Sequence, residues 1–275
     1  MSREDRGHWK DIASLWKHVG PPLRPSASDL QYFHQAIVER QGEVEGDLDG
    51  LILGVTPEFS GKIWPNSNLV HAVDRSRPMV HHCWVGVPGN VILGEWLHLP
   101  LGSLTKDVVL LDGGLAFFEY PEKLRKLFSE IGRVLRSGGR MVLRPFTPPK
   151  LRETSSNVGD ALRGKKISNF NEFKFRLWMA LRGKERVTVC PRDVYEWVFE
   201  YSKGDLENFA REQDWDIDHV LALCSHKESS VVYHFPSVEE IEALACDDLS
   251  CFEHHVTHSG REEDGSCPVM VFRKN

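Results

Sequence analysis

The sequence predicts an α/β fold, and three observations lead there. Five short, nearly continuous apolar runs follow one another through the middle of the chain: LILGV (51–55), LVHAVD (69–74), NVILGE (90–95), DVVLLDGG (107–114) and RMVLRPF (140–146). Runs of that length and density suit strands buried on both faces of a parallel sheet. Before the fifth run stands EKLRKLFSEIGRVL (122–135), whose Leu124, Leu127, Phe128, Ile131, Val134 and Leu135 make one helical stripe. Two further runs, CFEHHVTH (251–258) and CPVMVFRK (267–274), bring the strand pattern back near the end. Strands alternating with helices imply a mostly parallel sheet joined by right-handed crossovers.

The remaining elements follow in chain order. GPPLRPS (20–26) is a loop stiffened by three prolines. A helix is predicted over 28–41, with Ser28 and Gln31 as its capping box and Leu30, Phe33, Ile37 and Val38 at helical spacing. Gly138 and Gly139 are expected to end the helix of 122–135, as glycines past a last turn do. Beyond Phe146 the pattern is helical to about 230, through FNEFKFRLWMALRG (170–183), PRDVYEWVFEYS (191–202) and DLENFAREQ (205–213). DIDHVLALCS (216–225) fits a helix or a strand. Ser237 and Glu240 form a capping box that opens a helix running to Ala245. The chain thus divides into an N-terminal helical segment (1–45), a sheet core (46–147), a helical insertion (148–230) and a stretch that completes the sheet (231–275).

Composition narrows the function. With 275 residues, a net charge of −6 and a pI near 6.1, the chain is a poor match for a partner whose many phosphates must be neutralised. RGKK (163–166) and RGKER (182–186) read as solvated faces, so no nucleic-acid partner is expected. No run of about 18 apolar residues occurs, so no membrane partner is expected either. The charged start, MSREDRGHWKD, has no apolar stretch of a secretory signal. Six scattered cysteines without a C-x-x-C pair suit reduced thiols and a cytoplasmic location. His81–His82–Cys83 and His254–His255 with His258 are rejected as metal sites, because neighbours in a strand face opposite ways and the first cluster has no second ligand pair.

Three features fall at the carboxyl ends of successive strands, where open α/β sheets bind ligands. Gly54 ends the first run, where the backbone must turn closely. Asp74 ends the second, where a carboxylate can accept both hydroxyls of a ribose. Glu95 and Trp96 follow the third, placed to meet an adenine edge and face. Each has a plainer reading; a strand-end aspartate often only caps a helix or a turn. Their common register favours a nucleoside site.

On these residues the stretch from about 50 to 147 resembles the class I S-adenosylmethionine-dependent methyltransferases. LILGVTPE is similar to the family's first motif and AVDRSRPMV to its second. GEWLHLPL is similar to the adenine-contact motif, and RVLRSGGRMVLRPF to the segment that enters the fifth strand. The resemblance implies a Rossmann-like seven-stranded sheet with an antiparallel last strand, and S-adenosyl-L-methionine as cofactor. It implies donor contacts from Gly54, Val55, Thr56, Asp74, Arg75, Met79, Glu95, Trp96, Asp112 and Gly113. The first motif departs from the family, since Ile52 stands where an acid is common and Thr56 and Glu58 replace later glycines. A pyrophosphate needs bare N–H groups at a helix start, whereas a sulfonium donor has no phosphate. The altered loop therefore speaks against a nicotinamide cofactor more than against a methyl donor.

Methyl transfer from a sulfonium is an in-line displacement that needs alignment and exclusion of water, with a base only where the acceptor must lose a proton. Asp112 at the fourth strand's end, and Tyr233 and His234 in VVYHFPS, are the candidate catalytic residues. Asp112 can equally be a turn former and Tyr233 a packed ring. The aromatic residues of 148–230 read as a lid with an apolar acceptor pocket, which suits a small-molecule or peptide-like acceptor. The alternative is a methyltransferase-fold binding or scaffold protein without catalysis.

Overall fold

Each of the five apolar runs forms a strand in the computed structural model, which describes residues 9, 10, 12–182, 188–245, 249–255 and 265–275. In chain order the elements begin with α1 (Ala27–Gln41), β1 (Gly50–Leu53), β2 (Val70–Asp74), α2 (Arg77–Cys83), β3 (Val91–Leu93) and β4 (Lys106–Asp112). They continue with α3 (Glu122–Val134), β5 (Leu135–Arg144), α4 (Ser155–Arg163), α5 (Phe170–Leu181) and β6 (Thr188–Val189). The last are α6 (Pro191–Tyr201), α7 (Leu206–Glu212), α8 (Ile217–Leu221), β7 (Tyr233–His234), α9 (Val238–Ala243), β8 (Leu249–His255) and β9 (Val269–Lys274).

Among the described residues the main sheet has seven strands in the order β3-β2-β1-β4-β5-β9-β8. The first five are parallel, and β9 runs antiparallel to both of its neighbours. This is the predicted architecture. All four residues of β1 are buried, as are Val108 to Leu111 in β4, because apolar groups cover the sheet on both sides. On one side Leu124, Leu127, Phe128 and Ile131 of α3 pack with Leu51, Leu53, Val109 and Met141. Each such side chain, fully removed from water, stabilises the fold by about 1.5–3 kcal/mol. On the other side lies α1, whose buried residues include Phe33 and Ile37; Arg140 of β5 reaches it and donates to Glu39 (2.6 Å) and Glu43 (2.7 Å).

Three details differ from expectation. The capping box of α1 is made by Ser26 and Asp29, not Ser28 and Gln31: Asp29 N–H donates to Ser26 Oγ (3.2 Å) and Ser26 N–H to Asp29 Oδ2 (2.8 Å). Pro25 fixes the chain just before it, so the helix starts one residue earlier. Gly138 and Gly139 do not cap α3. The chain is already extended at Leu135, and both glycines lie in an irregular part of β5, where Lys106 pairs with Leu135 but Val108 pairs with Arg140. Gly138, at φ +72°, supplies the left-handed step that such a bulge needs. Polar bonds hold it there: Arg40 donates to Asp107 (3.1 Å) and to the Ser137 carbonyl (3.3 Å), and Arg136 pairs with Asp49 (2.8 Å) and Asp107. The undecided stretch at 216–225 is helical, α8 followed by a 3₁₀ turn from Ala222 to His226.

The chain forms two units. One consists of Pro25–Thr147 with Pro236–Asn275 and contains the sheet; the other consists of Met1–Arg24 with Pro148–Phe235. The segment before residue 45 is thus shared, with α1 in the sheet unit and the first 24 residues in the helical unit, and 231–235 also fall in the latter. In the helical unit the aromatic residues pack on one another. Phe173 meets Trp215 (5.5 Å between ring centroids) and Phe209 (5.9 Å), and Trp197 stacks on Tyr201 (4.9 Å). Asn171 donates to the His18 carbonyl (3.1 Å), which ties the early segment to α5. His18 stacks on His219, whose ring also meets Phe170.

Candidate functional site

Strand order reverses between β1 and β4, and in a parallel sheet the loops there diverge to leave a crevice at the carboxyl ends. Gly54 stands at the tip of β1 with φ +96°, a conformation that a side chain disfavours. Its N–H donates to the Val73 carbonyl (2.9 Å), so the turn is pinned to β2. A Cβ on Gly54 would stand 4.0 Å from Asp74 Oδ2. The glycine thus brings bare backbone beside the strand-end carboxylate. The expected neighbours of this turn face inward: Val55 and Thr56 are buried, and Thr56 opens a 3₁₀ turn over Pro57–Phe59.

Asp74 is buried. Its Oδ1 accepts the Ser76 N–H (2.7 Å), and Ser76 in turn caps α2 by accepting the Met79 N–H (3.3 Å). Burial is the largest influence on the Asp74 carboxyl and raises it from 3.8 to about 6, against the pull of the Ser76 amide and of Arg75. Met79 is buried in α2. Arg75 is half-buried and pairs with Glu95 at 3.6 Å, which joins the rims of β2 and β3. Ser76, which holds Asp74, was missed by sequence reasoning; its place two positions past Asp74 and two before Pro78 was the available signal.

Trp96 does not stand beside β3, where the sequence placed it. Its ring crosses β2, donates Nε1–H to the Val73 carbonyl (2.7 Å) and meets Phe118 at 5.8 Å between centroids. A Cβ on Gly54 would lie 3.4 Å from its Cζ2, and one on Gly114 would lie 2.7 Å from its Cζ3. The indole therefore rests between the ends of β1 and β4.

Asp112 ends β4 opposite Arg144 of β5, with Arg144 Nε donating to its Oδ1 at 2.7 Å. Both side chains are buried. Burial raises the Asp112 carboxyl to about 6, while the Arg144 guanidinium pulls it down. A carboxylate already engaged by a guanidinium is poorly placed to take a proton from an acceptor, so this geometry argues for a positioning role. Gly113, after it, donates to the Arg144 carbonyl (2.9 Å) and lies against the Phe146 ring. Sequence reasoning missed Arg144 and Phe146, because the pairing depends on register across strands.

Tyr233 and His234 belong to the helical unit. They form β7, which pairs antiparallel with β6 through Val189↔Tyr233 and Thr188↔His234. The Tyr233 ring meets Trp178 edge-on (5.3 Å), and burial pushes its hydroxyl well above the ordinary tyrosine range. Of the histidines set aside as metal ligands, His254 and His255 pair in the ladder with Met270 and Val269, and His258 lies outside the described residues.

The residues fit an adenosyl sulfonium in kind. One turn allows close backbone approach, a buried carboxylate beside it can accept ribose hydroxyls, and an acid stands at the next strand's end. Comparison with known proteins points the same way. Residues 55–143 match the family model described as a methyltransferase domain. No curated protein matches in sequence. Among solved structures, the chain is similar to the CcbJ methyltransferase from Streptomyces caelestis (14% identity, 100% of this chain and 99% of that one, TM-score 0.51). It is also similar to the PH0226 protein from Pyrococcus horikoshii OT3 (15%, 94% and 98%, 0.52). A third similar chain is one assigned among Zn-dependent alcohol dehydrogenases from Rhodobacter sphaeroides (11%, 100% and 100%, 0.59). At these identities the structural likeness shows the fold alone.

Proposed function

We propose that this chain, whose residues 55–143 match a methyltransferase domain, is a class I S-adenosylmethionine-dependent methyltransferase that methylates a small-molecule or peptide-like acceptor. S-adenosyl-L-methionine supplies a methyl group on a positively charged sulfur, open to in-line displacement. The observation that carries the reading is the buried Asp74 carboxylate beside the bare backbone of Gly54.

Asp74 accepts the ribose hydroxyls, with Ser76 fixing its orientation through the bond to Oδ1. Gly54 has no side chain of its own to bar the donor from β1. Glu95, steadied by Arg75, meets the amino group of adenine. Val55, Thr56, Met79 and Gly113 shape these contacts from behind, as buried or backbone elements. Asp112 holds the end of β4 through Arg144 and thereby positions the rim. His234 is the proposed base for an acceptor that must be deprotonated, and Tyr233, whose hydroxyl burial keeps protonated, is the proposed hydrogen-bond donor beside it. The apolar, aromatic character of 148–230 supports an acceptor of the stated class over a polyanion.

Calorimetric titration with S-adenosylhomocysteine, followed by mass spectrometry of an acceptor panel with S-adenosylmethionine, tests the reading. Binding and a gain of one methyl on a panel member are expected. Absence of any binding overturns it.

A further inference from the structure

The crevice between the ends of β1 and β4 is filled by a side chain of the protein itself. The Trp96 ring lies on Gly54 and Gly114, close enough that a Cβ on either would meet it at 3.4 and 2.7 Å. The Val73 carbonyl accepts two hydrogen bonds, from the Gly54 amide at 2.9 Å and from Trp96 Nε1 at 2.7 Å. A carbonyl oxygen has two lone pairs, and both are used here. Phe118 backs the ring.

Strand order then decides which part of a bound donor the ring competes with. This step rests on the proposed placing of the ribose at Asp74. With the ribose at the tip of β2 and adenine toward Glu95 past β3, the sulfonium and amino-acid tail must run toward β1 and β4. The indole occupies that second half. We infer that Trp96 is a plug for the amino-acid half of the donor site, so that tight binding of the complete donor requires the ring to leave its seat. Gly54 and Gly114 then have two uses: they floor the indole when it is seated, and they leave bare backbone when it is gone. A ligand that ends at the 5′ carbon, such as adenosine, does not reach that half and gains little from the ring's departure.

A protein whose binding-competent form is a minor fraction shows a dissociation constant raised by the inverse of that fraction. One net hydrogen bond and the lost ring contacts keep the open form to roughly a tenth of molecules or less. Removing the ring therefore tightens S-adenosylhomocysteine by about tenfold or more, and adenosine by far less.

The experiment is calorimetry of wild type, Trp96→Ala and Trp96→Phe with S-adenosylhomocysteine and with adenosine, each variant checked for cooperative unfolding. Tighter S-adenosylhomocysteine binding in Trp96→Ala, with adenosine nearly unchanged, is the expected result. Trp96→Phe keeps an aromatic ring but loses the bond to Val73, so it tightens by a smaller factor and decides the matter if the alanine variant does not fold. Indole emission should also shift to the red when S-adenosylhomocysteine binds wild type, and that shift should vanish in Trp96→Phe. Unchanged or weaker binding in the folded variants overturns the plug while leaving the donor site standing. Binding to none of the three proteins overturns both.

Discussion

Replacing Asp74 by Asn separates what this carboxylate does for the fold from what it does for a ligand. Burial raises its titration from 3.8 to about 6. A carboxyl so shifted binds its proton more tightly in the folded chain by about 3 kcal/mol. The sign follows from linkage. Above about pH 7 both folded and unfolded chains carry the charge, and the fold bears the full cost of burying it. As pH falls through 6 toward 3.8 the folded chain takes up the proton first, and the cost disappears. Asparagine never carries the charge, yet its Oδ1 can still accept the Ser76 N–H. Asp74→Asn should therefore stabilise the sheet unit by up to about 3 kcal/mol near pH 8, with the gain shrinking to nothing near pH 4. The same change should weaken S-adenosylhomocysteine by about 1.5–3 kcal/mol for each charge-assisted hydrogen bond lost. Urea unfolding across that pH range, beside calorimetry, reads both. A destabilised variant at pH 8, or a gain independent of pH, would refute the reasoning about burial.

Other outcomes follow from the same geometry. Asp107→Ala removes the carboxylate shared by Arg40, Arg136 and the Asp49 amide, and should lower unfolding free energy by about 3–5 kcal/mol, measured in urea. Gly54→Ala places a side chain at φ +96° against Trp96 and should destabilise by about 1–3 kcal/mol in thermal melts, while weakening donor binding. Asp112→Asn removes the charge facing Arg144; an unmoved pH–rate profile supports a positioning role, whereas a profile that loses a limb identifies a base. His219 is pushed down to about 3, first by burial and then by Lys174 and His18. The unfolded chain protonates it first as pH drops below 6.5, so helical-unit stability should fall from there toward 3, and His219→Phe should flatten that dependence.

Much of the fold was legible because burial on both faces leaves an unbroken apolar signature. Ile52, Val73 and Leu110 have no solvent-facing neighbour to disguise them, and α3 shows its stripe for the opposite reason, since one face meets water. Asp74 was legible as well, by its distance from Gly54 and its place at a strand end. What sequence could not show are features set by contacts between distant segments. The Arg144–Asp112 pair exists because the register puts those two residues side by side. Gly138 serves a bulge, not a cap, because Arg40 and Arg136 reach across to hold it. Trp96 passed for a neighbour of Glu95, and only the path of its ring reveals that its partners are Gly54 and Gly114.

The antiparallel β9 has a kinetic corollary. It lies between β5 and β8, and Arg140 faces Arg273 across the first of those seams. β8 is synthesised before β9 yet, among the described residues, finds its place in the ladder only through it, so a later-made strand acts as the keystone for an earlier one. Until it arrives, β5 presents an open edge on which another chain could add. Nascent molecules are thus expected to be most prone to self-association in that interval, and least so once the final hairpin closes.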